Sequence, residues 1–235
     1  MNLNRRELTS NDLKIIAITF MFIDHMVAGF FLHDSLAFML LRIPGRVVAP
    51  IMCYLVAEGF FYTSNVKKYT MRLFIFAAIS HFPYVLYFGY EWWQATSVIW
   101  GLLMGLIALI ACQNQKIPIW GKVPIVVACC LLSMTADWNF VSVLWIIGFY
   151  YFRGQFNKQI ISFVLIGFLF HLIPTYVNFG WLHFYQIGIL LAIPLLALYK
   201  GQRGKQNKFI QLGFYIFYPL HLVILYIIKY IVLSA

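Results

Sequence analysis

Six ionisable side chains fall deep inside apolar runs of this sequence: Asp24, His25, Glu58, His81, His171 and His221. Such a group is costly in an apolar setting and marks a working site or a structural partner. Asp24 and His25 are adjacent, in Met21-Phe22-Ile23-Asp24-His25-Met26. Helical neighbours point about 100° apart, so the two need not bond each other. Asp24 then requires a cation of its own, because a lone buried carboxylate is protonated. Arg42 and Arg46, in Arg42-Ile43-Pro44-Gly45-Arg46, are the candidates, with a histidine as the alternative. An imidazole in a poorly hydrated site stays neutral at pH 7 and suits general-base work. His25 reads as a catalytic or substrate-contacting residue. The competing reading is a histidine that bonds a backbone or hydroxyl group of a neighbouring helix.

His81, His171 and His221 each lie about 12 residues into their runs, as His25 does, which puts the four imidazoles roughly 18 Å from the same end of their helices. A shared level is not a shared site, and each of the three is read either as cavity-lining or as an interhelical hydrogen-bonding residue. Glu58, in Ala57-Glu58-Gly59-Phe60, either faces a cavity or forms an interhelical pair, and Gly59 allows close helix approach. Lys67, Lys68 and Arg72 form a compact basic cluster just beyond. It would hold the phosphates of coenzyme A, or serve as a topology signal and lipid-headgroup contact. The Pro–Gly interruption between Arg42 and Arg46 is tolerated at membrane depth where it is buried or lines a cavity. At least one of these arginines is expected to point inward, the alternative being interfacial snorkelling.

The elements that must position these groups are membrane helices. Hydrophobic residues make up 63% of the 235-residue chain and charged residues 10%, with a mean hydropathy of +0.84. A soluble domain carries about 25% charged residues. Runs long enough for a span of about 20 apolar residues, or nearly so, are 13–32, 45–63, 69–88, 97–112, 123–135, 140–152, 159–177, 181–199 and 209–232. The fifth and sixth are short and read as a helical hairpin hinged at Ala136-Asp137-Trp138-Asn139. The fold class is therefore an all-α, polytopic bundle of about nine spans, with residues 1–235 as a single transmembrane domain. Ser10-Asn11-Asp12 supplies capping residue types for the first helix, which reads as a retained anchor rather than a cleaved signal.

The net charge of +10 does not indicate nucleic acid. Basic residues cluster between alternate runs: Arg5, Arg6 and Lys14; Lys67, Lys68 and Arg72; Lys116 and Lys122; Arg153 and Lys158; and Lys200, Arg203, Lys205 and Lys208. The opposite loops hold Asp34, Glu91 and Asp137, with Arg42 and Arg46 as exceptions. By the positive-inside rule the N-terminus is cytoplasmic, in a multi-pass protein of the bacterial cytoplasmic membrane. Cys53, Cys112, Cys129 and Cys130 lie in or at the end of apolar runs without metal-ligand spacing, and read as small hydrophobes.

Taken in order, Leu13-Lys14-Ile15-Ile16-Ala17, Ile23-Asp24-His25, Leu41 to Arg46 with Pro50, Ala57 to Phe60, and Lys67-Lys68-Tyr69 with Arg72 resemble the TraX family. So do Ala136-Asp137 and the terminal Phe217-Tyr218-Pro219-Leu220-His221-Leu222. The family's name comes from an enzyme that N-acetylates F-type conjugative pilin, and the family is distantly similar to the acyltransferase-3 membrane proteins. The resemblance implies that His25 is the catalytic histidine, that Lys67, Lys68 and Arg72 are the basic run after the second span, and that Tyr218 and His221 form the terminal motif. The chain departs from the wider superfamily at Glu58, where a serine is usual.

The expected activity is acyl transfer, with acetyl-CoA as cytoplasmic donor and a peptide amine, glycan or lipid hydroxyl as acceptor. His25 would be the base, while Arg46 or Arg42 would stabilise developing negative charge or pair with Asp24. No metal is required. The competing classes are a transporter or flippase, which predicts an internal repeat that is not found, and a haem or metal protein, although no span carries two histidines.

Overall fold

A computed structural model describes residues 7–32, 35–205 and 207–232. Arg5, Arg6 and Asp34, used in the charge pattern above, lie outside these residues, as does the side chain of Lys208. The described chain is helical, with two isolated bridges, Leu8–Tyr199 and Thr96–Ala136, in place of any sheet. Among the described residues, five helices or continuous helical stretches are long and apolar enough to cross a membrane: Ser10–Phe30, Leu36–Tyr62, Val66–Phe88, Phe156–Phe179 and Phe209–Tyr230. Four shorter apolar helices, Val98–Gln113, Ile119–Leu132, Asn139–Tyr151 and Trp181–Ala197, complete the bundle. These are the nine runs expected from hydropathy, with ends displaced by a few residues apart from an earlier start to the second.

Helix α1 (Ser10–Phe30) is capped by Thr9, one residue before the expected signal. The Thr9 hydroxyl accepts from the Asp12 backbone N–H, and the Asp12 carboxylate accepts from the Thr9 N–H at 2.9 Å. The second run begins earlier than its hydropathy indicates, at α2 (Leu36–Arg42), capped by Ser35. A 3-10 turn at Pro44–Val47 then bends the chain into α3 (Val48–Tyr62). Next come α4 (Val66–Phe88), α5 (Val98–Gln113), α6 (Ile119–Leu132) and α7 (Asn139–Tyr151). Helix α8 (Phe156–Gly167) passes through a π-helical turn at Phe168–Leu172 into α9 (Ile173–Phe179). A 3-10 helix at Trp181–Leu191 leads to α10 (Ala192–Ala197), and α11 (Lys208–Ile227) closes the bundle.

Helix α5 is buried along most of its length between α3, α4, α6 and α7. Small residues set its approach to α7: Gly101 lies against Ser142 and Ala136, and Gly105 against Ile146. Close packing of this kind drives association where lipid is as apolar as the side chains. The outer faces are correspondingly apolar, with Phe82, Trp120, Leu131, Phe168 and Val177 exposed.

The start of α1, the end of α3, the end of α7 and the 199–205 segment meet at one end of the bundle. The Leu8 N–H bonds the Leu198 carbonyl, Arg203 bonds the Tyr62 carbonyl, and Arg153 bonds Glu58. This end gathers the basic loops and is called the basic end below. The opposite end carries Arg42 and Arg46, and also Lys229, which lies over the Tyr87 and Tyr230 rings.

The 3-10 helix packs onto the Pro44 turn through Gly188, where a Cβ would overlap the Ile43 carbonyl oxygen. Gly213 on α11 has open space around it. Gly188→Ala should therefore cost about 1–3 kcal/mol and lower the thermal midpoint in detergent. Gly213→Ala, in a helix interior, should leave it unchanged or raise it. Equal midpoints for the two variants would refute this packing.

Candidate functional site

The Pro44 turn brings two arginines onto one carboxylate. Arg42 forks onto Asp24, Nε to Oδ1 at 3.0 Å and Nη2 to Oδ2 at 3.1 Å, and Arg46 Nη2 donates to Oδ2 as well. Both expected partners of Asp24 are thus used at once. Asp24 is 5% and Arg46 6% exposed. Gly45 makes the approach possible, since a Cβ there would sit 2.5 Å from the Asp24 Cβ. Tyr185 of the 3-10 helix lies against both guanidiniums, 5.2 Å from Arg42 and 5.6 Å from Arg46, and Trp138 lies 5.4 Å from Arg46. These aromatic faces supply cation–π contacts in a desolvated setting. No sequence pattern pointed to Tyr185 or Trp138, because nothing in their spacing shows which side of the bundle they face.

Next to Asp24 on α1, His25 meets His221 of α11. The His25 Nδ1 and His221 Nε2 are 2.8 Å apart, and the His221 Nδ1 is 2.9 Å from the Phe217 carbonyl oxygen. This chain of contacts assigns the protons. A carbonyl only accepts, so His221 Nδ1 carries a hydrogen. In a neutral His221 the Nε2 is then a lone-pair acceptor, and His25 Nδ1 must donate to it. A neutral His25 is left with its lone pair on Nε2, the nitrogen a general base requires. Tyr87 fixes the backbone here by donating its hydroxyl to the His25 carbonyl at 2.7 Å, in the space left by Gly29. Phe88 and Tyr218 stand edge-on to the His25 ring, at 5.4 and 6.2 Å between centroids.

A cavity of about 250 Å³ runs between α1, α3, α4 and α11. Its wall extends from Tyr62, Thr63 and Arg203 at the basic end to Ile18, Met52 and Leu102 in the interior. Along α3, Met52 to Tyr62 spans about 15 Å. Ile18 lies about two helical turns below His25, roughly 10 Å along α1. Lys14, Arg72 and Arg203 line the cavity, together with Glu58. The Arg72 Nε is buried without a hydrogen-bond partner among the described residues. Glu58 is bound by Arg153, whose Nε reaches Oε1 at 2.6 Å and whose Nη2 reaches Oε2 at 3.3 Å. Arg153 also stacks on Phe61 at 3.4 Å.

The remaining candidates are dispersed. Lys67 and Lys68 are exposed and do not line the cavity, whereas Arg72, one turn on, does. His81 borders a separate apolar hollow with Phe74, Ala77, Phe82 and Trp100. His171, in the π-helical turn, bonds Gln186 at 3.1 Å and stacks on Trp138 at 4.8 Å, which connects it to Arg46 only through that ring. The level shared by four histidines thus resolves into one contacting pair and two separate residues. Among the described residues, no three potential metal ligands converge. Arg203 and Lys14 were visible only as members of basic loops, and the fold is what turns them toward one space.

The chain belongs to the TraX family, whose model, described as TraX protein, matches residues 9–229. It is similar to a protein of Dichelobacter nodosus named as a probable fimbrial assembly protein FimC, serogroup H1. The two are 28% identical over 232 residues, covering 91% of this chain and 92% of that protein. No solved structure matches the chain.

The Asp24 cluster makes an asymmetric prediction. One carboxylate between two guanidiniums carries a net charge of about +1. Asp24→Asn leaves two buried cations unopposed and should cost about 3–5 kcal/mol. Arg42→Gln leaves a neutral Asp24–Arg46 pair and should cost less. Thermal midpoints of the two variants in detergent check this; equal losses, or a neutral Asp24→Asn, would show that the cluster does not carry this charge balance.

Proposed function

We propose that this protein is a membrane-embedded acyltransferase of the bacterial cytoplasmic membrane that transfers an acetyl group from acetyl-CoA to an amine or hydroxyl. In this reading the chain crosses the bilayer nine times, the basic end faces the cytoplasm and the Arg42–Arg46 end faces outward. The observation that carries it is the lone-pair nitrogen of His25, held by His221 about two turns beyond the deep end of a cation-lined cavity.

The cavity suits the donor by its chemistry. Lys14, Arg72 and Arg203 offer charge and N–H groups to phosphates. Glu58 would repel them, but its charge is held by Arg153. Bound acetyl-CoA supplies a thioester carbonyl activated for attack. His25 Nε2 removes the proton from the acceptor nitrogen or oxygen as that atom bonds to the carbonyl carbon. His221 accepts the hydrogen bond of His25 Nδ1 throughout and keeps the ring oriented, as the third member of a catalytic triad does. The proton on Nε2 then passes to the departing thiolate as the carbon–sulfur bond breaks, and His25 is returned to its starting state. TraX membership favours the amine of a peptide N-terminus as acceptor. The relative's name, a fimbrial assembly protein, is consistent with a peptide acceptor.

The test is an inverted-vesicle assay with acetyl-labelled acetyl-CoA and peptide, lipid and glycan acceptors. Transfer or donor hydrolysis should occur with the native chain and be lost in His25→Ala at equal expression; equal turnover in both would remove His25 from the chemistry. The cavity adds a second expectation. Arg72→Gln should raise the KM for acetyl-CoA about tenfold, the effect of one charge-assisted hydrogen bond. Lys67→Gln should change it by less than about twofold, as a screened exposed charge does. The reverse ranking would place the donor outside this cavity.

A further inference from the structure

Helix α5 begins in the protein interior without a cap. The first N–H groups of a helix have no intrahelical partner. Ser97 occupies the capping position, yet its hydroxyl bonds none of them. Ser97 is 1% exposed, and Val98 and Ile99 are buried beside it. Two hydroxyls converge on this start. The Oγ of Ser97 and the Oη of Tyr218 are both buried with no hydrogen-bond partner among the described residues, and Tyr218 is 3% exposed. The Tyr218 hydroxyl lies beside Ser97 and the Val98 backbone without closing a hydrogen bond to either. Each buried polar group left in this state costs about 1–3 kcal/mol, and two together at an uncapped helix start mark a place organised for something other than stability.

The place is next to the base. The Tyr218 ring is edge-on to His25 at 6.2 Å and to His221 at 5.5 Å. The cavity comes no closer than Leu102 of its deep wall, one turn along α5 from Val98. What the α5 start itself presents is a set of uncharged hydrogen-bond donors. Such donors suit an oxygen that is neutral before and after reaction and charged only between.

We infer that the N-terminus of α5, with the hydroxyls of Ser97 and Tyr218, is an oxyanion site: it receives the acyl carbonyl oxygen and stabilises the charge that develops there. The assignment rests on the acyltransferase reading. As the acceptor atom bonds to the carbonyl carbon, the carbonyl π pair moves onto oxygen, and Tyr218 Oη–H, Ser97 Oγ–H and the Val98 N–H donate to it. When the pair returns to re-form C=O, the carbon–sulfur bond breaks and the thiolate takes the proton held by His25. Donors aimed at developing charge in a water-excluded site act without reorganisation.

The experiment uses the full chain in nanodiscs with acetyl-CoA and an acceptor peptide. Native protein, His25→Ala, Tyr218→Phe and Ser97→Ala are compared for kcat, for the KM of acetyl-CoA and for thermal midpoint. Tyr218→Phe should lower kcat about 10²–10³-fold with little change in KM and an unchanged or raised midpoint, because no hydrogen bond is lost on removing the hydroxyl. Ser97→Ala should move kcat in the same direction with its midpoint also preserved. If the native chain turns over and His25→Ala does not, while both hydroxyl variants retain native kcat, the oxyanion site is wrong and the acyltransferase reading stands. A lowered midpoint, with activity falling only in proportion to folded protein, would also overturn the site by making the hydroxyls structural. Absence of donor turnover in the native chain would overturn both.

Discussion

A charge carried into an apolar bundle must bring its partner with it, and much of this architecture follows from meeting that demand at Asp24. The carboxylate sits on α1, but both arginines come from the next segment, four residues apart across a Pro–Gly turn. A straight α-helix would already place residues four apart on one face. The 3-10 turn does something more: it lets Gly45 pass against the Asp24 side chain so that both guanidiniums reach the same carboxylate. The 3-10 helix of residues 181–191 is drawn in as well, since Gly188 must fit the Ile43 carbonyl and Tyr185 must cover the two cations. Trp138 then brings the start of α7 under Arg46. One ion cluster thereby sets the relative placement of α1, the kinked second run, α7 and the 3-10 helix.

The basic end meets the same demand with a different outcome. Glu58 is also held by a forked arginine, but Arg153 comes from a turn beyond α7 and is partly exposed. An ion pair in that position contributes less to stability than a fully buried one would require of its partners. Its consequence is electrostatic: with Glu58 neutralised, the cavity wall is left to Lys14, Arg72 and Arg203. The Asp24 cluster fixes the frame around His25 and His221, and the Glu58–Arg153 pair sets the sign of the space below them.

The spans were legible in the sequence because length and hydropathy are properties of a run, and a run needs no neighbours to be recognised. The candidates for Asp24 were legible for a similar reason, since two arginines stand against the charge pattern beside a Pro–Gly break, but the sequence did not decide between Arg42, Arg46 and a histidine. What could not be read was rotation. His81, His171 and His221 stand at comparable depth, yet His221 reaches His25, His171 turns to Gln186 and His81 turns to a separate hollow. A rotation of 100° per residue separates those fates, and the hydropathy of a helix surrounded by lipid and apolar protein does not record it. The same ignorance left open which cations share one space: Arg72 lines the cavity with Lys14 and Arg203, while Lys67 and Lys68 are exposed outside it. The Thr9 cap shows the smaller version of the problem, because adjacent residues of equal capping ability are separated only by the backbone path into the helix.

Asp24 and His25 are neighbours in sequence, and it would be natural to make the carboxylate the group that orients the imidazole. The hydrogen bonds argue otherwise. Asp24 already accepts three N–H groups from two arginines, two of them on Oδ2, and its net charge is more than offset. The orientation of His25 falls instead to His221, which is itself set by the Phe217 carbonyl. That relay is neutral from end to end. A neutral relay can lend and recover a proton within a low-dielectric interior without leaving a resting charge that would need its own counter-ion. The division is therefore physical: fixed charges hold the helices together, and neutral hydrogen-bonding groups hold the His25 imidazole. It is also in keeping with the Tyr218 hydroxyl, which is buried and uncharged on a ring edge-on to His25. In the oxyanion role proposed for it, an uncharged donor acts on a charge that exists only while bonds are changing and leaves no resting charge to be paired.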